Sequence, residues 1–243
     1  MNKPKVIIFA HPRTGSNTLL DILNLHPSLT LMREPFNDRR DQWEEGNKNY
    51  LKDLDNGTPM NEIMEDIEKD YNGFKTLSYQ LGDIYNKELL TSYDCSIIFL
   101  YRKNQLRSAV SGEIAKQTKI WQAEDKEKHA SVQELSALDI EKIKEVIEVQ
   151  YKEINQYRNI LKDAQIKFME ITYEDLFEVS DDAKLKKTED VFSFLGLELP
   201  NVEDIEKLTD SSRRITNDEI YNMIPNLQAV KELEDEETGY LFS

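Results

Sequence analysis

The chain has 243 residues, of which 39% are hydrophobic and 32% charged, enough for one α/β domain with insertions. Its 47 acids outweigh 31 Lys and Arg to leave a net charge of −16, which argues against nucleic-acid binding through phosphate neutralisation. No run approaches the roughly 18–20 apolar residues of a membrane span, the Met-Asn-Lys-Pro-Lys start lacks a signal peptide's apolar core, and the single Cys95 permits no internal disulfide; the expected setting is cytoplasmic.

In chain order the pattern predicts a strand over 5–10, a helix over 16–25, a strand over 29–33 and a polar insertion over 38–72 with a helix near 60–69. A strand at 73–77, a helix at 80–91, a strand at 95–101 and a helix at 104–117 follow. Beyond a charged loop over 119–136 come a helix at 139–162, a strand at 166–171 and helices to the end. Ile140, Ile143, Ile147, Tyr151 and Ile154 mark the packing face of the long helix. Such alternation implies a parallel sheet with helices on both faces. The acidic run 232–237 reads as a solvated helix end.

The segment Val6–Leu20 carries the chemistry. A β-branched and aromatic run stops at His11-Pro12-Arg13-Thr14-Gly15, and Ser16-Asn17-Thr18 opens a helix. Backbone N–H groups at a helix start have no helical partner and sit at the positive end of the dipole, so they bind phosphate. Arg13 adds a permanent cation. This is not a Walker A loop: aligning its second Gly on Gly15 puts Ala10, Ser16 and Asn17 where Gly, Lys and Ser/Thr belong. The missing lysine disfavours NTP hydrolysis.

Pro12-Arg13-Thr14-Gly15-Ser16 with Leu19 resembles the 5′-phosphosulfate loop of sulfotransferases that use 3′-phosphoadenosine 5′-phosphosulfate (PAPS), in the form found in bacterial carbohydrate sulfotransferases of the nodulation-factor and trehalose kind. His26-Pro27 leading to Glu34-Pro35-Phe36-Asn37 resembles the segment whose Glu is that family's proposed base. Arg102-Lys103-Asn104-Gln105-Leu106 with Ser111 resembles its 3′-phosphate site, Ser108 being the alternative serine. Tyr173-Glu174-Asp175-Leu176 and Phe194-Leu195-Gly196 resemble structural segments, and Arg213-Arg214 a basic loop over the nucleotide.

The resemblance implies a P-loop-like sheet in one domain over 1–243 and sulfuryl transfer from PAPS to a hydroxyl of a carbohydrate or glycolipid. Arg13 and Glu34 are its catalytic residues. Thr14, Gly15, Ser16, Asn17, Thr18, Arg102, Ser111, Arg213 and Arg214 join Arg13 as nucleotide contacts, and no metal is expected. Lys3, Lys5, Arg13, Arg102, Lys103 and Arg107 are expected to concentrate positive charge at the pocket. An acidic surface favours a neutral or weakly charged acceptor. Residues 38–72 and 119–136, with Trp43 and Trp121, are candidate acceptor walls; an anchoring role for either Trp is an equal reading. His11 is a candidate lining residue of the sulfate pocket, His26 a helix-end cap and His129 a surface residue. Two rival readings are a nucleotide-dependent kinase or NTPase with a degenerate loop, and a non-catalytic nucleotide-binding module.

Overall fold

The structure, a computed structural model, describes residues 4–39, 48–121, 134–210 and 218–242. Five parallel strands, β1 (Val6–Ala10), β2 (Leu31–Arg33), β3 (Gly73–Leu77), β4 (Ser96–Tyr101) and β5 (Phe168–Thr172), form one sheet in the order β2-β3-β1-β4-β5. The central strands are buried on both faces, which is why Val6–Ala10 and Ile97–Leu100 read as unbroken apolar runs. Parallel register sets Val6 opposite Gly73 and Ser96, so β1, β3 and β4 deliver their C-terminal ends to one edge. Gly73 has φ +150°, and a Cβ there would lie 1.8 Å from the Val6 carbonyl oxygen, so only glycine allows this approach.

Helices cover both faces, as the alternation predicts. On one, α1 (Ser16–Asn24), α7 (Tyr173–Phe177), α8 (Asp181–Leu195) and α9 (Val202–Thr209) pack Leu19, Leu23, Leu176, Phe192 and Ile205 over Ile8 and Ile98. On the other, α2 (Tyr50–Asp55), α3 (Met60–Ile67), α4 (Asp83–Thr91) and α6 (Ile140–Asp163) enclose Phe9, Phe74 and Phe99. A third cluster joins α5 (Gln105–Thr118) and α6 to α10 (Asp218–Asn222), α11 (Leu227–Lys231) and Leu241.

Several expectations change. The described part of the 38–72 insertion contains two helices, and Leu54, Met60, Ile63, Met64 and Ile67 join the core, so this part of it roofs the sheet. Tyr151 is half exposed; α6 buries Gln150, Tyr157 and Leu161 beside Ile143, Ile147 and Ile154. Strand β2 starts only at Leu31, because Leu29 N–H bonds the His26 carbonyl and the Asn24 side chain takes the Leu31 N–H. Helix α4 starts at Asp83, after a turn that Asn86 holds by donating to the Ser78 and Leu81 carbonyls.

Residues 232–237 do not end a helix in solvent. Helix α11 stops at Lys231, and the chain turns through an Asp235–Gly239 bridge onto the start of α5. There Thr238 O accepts from Leu106 N–H and Tyr240 O accepts from Asn104. Gly196, with φ 72°, closes α8 as expected. Among the described residues, no helix is long and apolar enough to cross a membrane.

Candidate active site

The loop after β1 is tied down before it turns. His11 N–H bonds the Leu100 carbonyl, Ser78 N–H bonds the Ala10 carbonyl, and the Thr14 hydroxyl donates back to His11 O at 2.7 Å. Arg13 (φ 62°) and Gly15 (φ 73°) then take left-handed backbone, and α1 begins at Ser16. A Cβ on Gly15 would lie 2.3 Å from the Phe177 ring. The first helical bond of α1 runs from Leu19 N–H to Gly15 O, so the N–H groups of Ser16, Asn17 and Thr18 precede the ladder. Gly15 offers no capping side chain, and the first turn holds no acid. The positive end of α1 is therefore uncompensated where the sheet's C-terminal edge gathers its groups.

Arg13 reaches across the loop to α5. Its Nε donates to Ser111 Oγ at 3.0 Å and its Nη1 to Trp121 O at 3.2 Å; among the described residues its hydrogen-bond partners are uncharged. Burial, then repulsion from Arg102, lowers its pKa to about 10, so it stays cationic at neutral pH. Ser108, one turn earlier, braces the loop instead, its hydroxyl donating to Pro12 O and accepting from Gln150. The side chains of Thr14 and Asn17 are likewise engaged, on His11 O and Lys75.

Arg102 follows β4 and is buried against Tyr173, 4.0 Å from the ring centre. Its Nη2 donates to Glu178 at 3.3 Å, while its Nε is buried without a hydrogen-bond partner among the described residues. Arg107 donates to the same Glu178 oxygen at 2.8 Å. Glu174 accepts the backbone N–H groups of Lys103 and Asn104, and a Thr172–Asp175 capping box fixes α7 beneath them. Tyr173–Leu176 is therefore more than the structural segment that its sequence suggests, because Tyr173, with Glu178 beyond it, orients Arg102. Acids at 174 and 178, one turn apart on a helix, are the available sequence signal.

Glu34, just past β2, is also left-handed (φ 45°) and only 8% exposed. Lys75 donates to its Oε1, while Asn37 and Gln80 each donate to Oε2 at 2.7 Å. Burial pushes this carboxyl up, and the Lys75 charge and the three hydrogen bonds carry it below the usual range instead. Arg33 is not its partner, being paired with Asp21 at 3.3 Å. Motif reading alone misses Lys75 and Gln80, and it names Asn37 without giving it a role. The lysine inside the otherwise apolar strand Gly73–Leu77 is the clue.

The basic cluster is smaller than expected. Lys5 lies at the opposite end of β1, paired with Glu68, and Lys103 is exposed beside Asp175. His11 is buried behind the loop, with Nδ1 3.5 Å from both Ser78 Oγ and Glu153 and with Nε2 unpartnered among the described residues. Burial lowers its pKa to about 4. His26 accepts from Ser28 N–H in the turn after α1. Cys95 is half-buried, and burial raises its thiol to about 12, which makes it unreactive. Lys3, Trp43, His129, Arg213 and Arg214 lie outside the described residues.

The geometry thus joins two basic centres, Arg13 with Ser111 and Arg102 with Arg107, to a buried carboxylate across the α1 N-terminus. No curated protein matches the chain. The model of the Stf0 sulphotransferase family matches residues 87–221, a stretch that holds Arg102, Ser111, Tyr173 and Glu178 and is preceded by Arg13 and Glu34. That match spans more than half of the chain and accompanies a parallel α/β sheet of the expected kind, so the chain belongs to the Stf0 sulphotransferases and is a sulfotransferase.

Proposed function

We propose that the protein transfers the sulfuryl group of PAPS to a hydroxyl of a carbohydrate or glycolipid acceptor, with Glu34 as the base. The observation that carries this reading is the contact between Arg13 and Ser111, which sets the loop cation beside the helix assigned to the 3′-phosphate. The residues present fit an anion with two phosphate centres. The α1 N-terminus is uncompensated, Arg102 has a buried Nε with no hydrogen-bond partner among the described residues and Glu174 3.9 Å away, and Arg13 and Arg102 repel one another.

Arg13 and the backbone of Thr14, Gly15, Ser16, Asn17 and Thr18 would hold the 5′ side; Arg102 and Ser111 would hold the 3′-phosphate, with Arg213 and Arg214 over the nucleotide. PAPS, when bound, supplies the activated sulfuryl group. Arg13 stabilises negative charge at the loop but gives up no proton, since a guanidinium keeps its own. Glu34 takes the proton of the acceptor hydroxyl, a contribution of about 10²–10⁴ in rate for a well-placed base. The exposed rings of Tyr79 and Trp121, in segments that follow β3 and α5, suit a sugar face.

Calorimetry with 3′,5′-ADP and 5′-AMP tests the assignment. Charge-assisted bonds to the extra phosphate are worth about 1.5–3 kcal/mol, so 3′,5′-ADP binds tighter by about tenfold or more, with or without magnesium. Equal affinities would remove PAPS as the donor. A screen of sugars and glycolipids with labelled PAPS then identifies the acceptor.

A further inference from the structure

Lys75 is a charged side chain placed inside a parallel sheet. It is 1% exposed and stands on β3 between Phe74 and Thr76. An ammonium group there loses its hydration and needs compensation. It finds two partners: the Glu34 carboxylate beyond β2, and Asn17 Oδ1 in the first turn of α1 at 2.8 Å. We propose that Lys75 is a positioning residue of the transfer reaction, holding the Glu34 carboxylate ionised and fixed against the first turn of the phosphate-loop helix. The proposal rests on the reading of Glu34 as the base.

The physical need is specific. A carboxyl as buried as Glu34 tends toward its neutral acid, and a protonated carboxyl cannot take a proton from a hydroxyl. Asn37 and Gln80 orient the group but carry no charge. Among the described residues, the other charged or titratable groups around the pair are Arg33 on β2, Asp21 on α1 and Tyr79 after β3, which also faces Asp38 and Arg13. Arg33 is paired with Asp21, Arg13 is bonded to Ser111 and Trp121 O, and Tyr79 and Asp38 give no positive charge, so the cation in contact with Glu34 is Lys75.

The test needs no acceptor. Protein labelled with ¹³C at glutamate carboxyl carbons is titrated by NMR between about pH 4 and 8, the Glu34 signal being identified by its absence from Glu34→Gln. In the native chain Glu34 titrates with a midpoint below that of an ordinary glutamate. In Lys75→Met it titrates above the ordinary value of about 4.3, because burial persists and the cation is gone. A Glu34 signal that titrates alike in both proteins overturns the proposal.

Thermal unfolding of Lys75→Met, Glu34→Gln and the double variant gives a second reading that survives a weakened fold. Each single change lowers Tm, and the double recovers part of the loss by leaving no unpaired charge. Strictly additive losses overturn the pairing. Native turnover in Glu34→Gln would instead remove Glu34 as the base and leave the titration result standing, so the two ideas fail separately.

Discussion

Arg13 occupies the one place where the loop, the α1 N-terminus and α5 meet. Its guanidinium is half-buried, charged and bonded to neutral oxygens of Ser111 and Trp121, so its charge is not spent on a carboxylate partner among the described residues. Arg13→Ala is expected to lower turnover by about 10²–10³, the usual loss of a preorganised charge stabiliser, and Arg13→Lys to retain part of the rate. Initial rates of 3′,5′-ADP release measure both. Arg13 is legible in the sequence because the Pro-Arg-Thr-Gly-Ser string is local. Lys75 is not, because its partners lie 41 and 58 residues away and only the strand order β2-β3-β1 brings them together. The same holds for Glu178, whose two arginines come from the end of β4 and from α5. Local motifs name the groups proposed to meet a ligand; the groups that orient them are set by topology.

Elements are legible where periodicity and burial agree. Strands β1, β3 and β4 match their expected spans within a residue, since each is a mostly apolar run stopped by a turn or a charge. Boundaries fail where a side chain captures backbone groups. Asn24 does so before β2 and Asn86 before α4, and a pattern of apolar residues holds no record of such bonds. The roof made by α2 and α3 is easily underestimated because its apolar residues are spread among many acids and polar residues. At this scale Gly73 is the critical position. Gly73→Ala drives a methyl into the Val6 carbonyl in a backbone region closed to L side chains, and the β1–β3 ladder must shift. The expected loss is about 2–4 kcal/mol in urea unfolding, with Lys75 displaced from Glu34 as the ladder moves.

For the whole molecule, the acidic surface and the basic cleft are compatible because the cations that matter are few and buried, while Lys5 and Lys103 are spent on local pairs. Beside the carboxyls whose pKa is lowered, such as Glu34, His11 contributes to acid sensitivity. Burial holds its folded pKa at about 4, below the ordinary 6.5 of the unfolded chain, so the unfolded state binds the proton first. Its contribution is complete above about pH 6.5 and is lost as pH falls toward 4. Urea unfolding is expected to show about 2 kcal/mol less stability from this group at pH 5 than at pH 7, a difference that His11→Gln abolishes. The left-handed backbone at Arg13 and Glu34 has a different reach. Each bulky residue held there sets about 1 kcal/mol or more against folding, and glycine would relieve it. Durability and chemistry therefore pull these two positions in opposite directions. A lineage, or a laboratory selection, that rewards heat resistance alone would wear the reaction away first at the loop. A tougher enzyme that still turns over must gain its stability elsewhere in the chain.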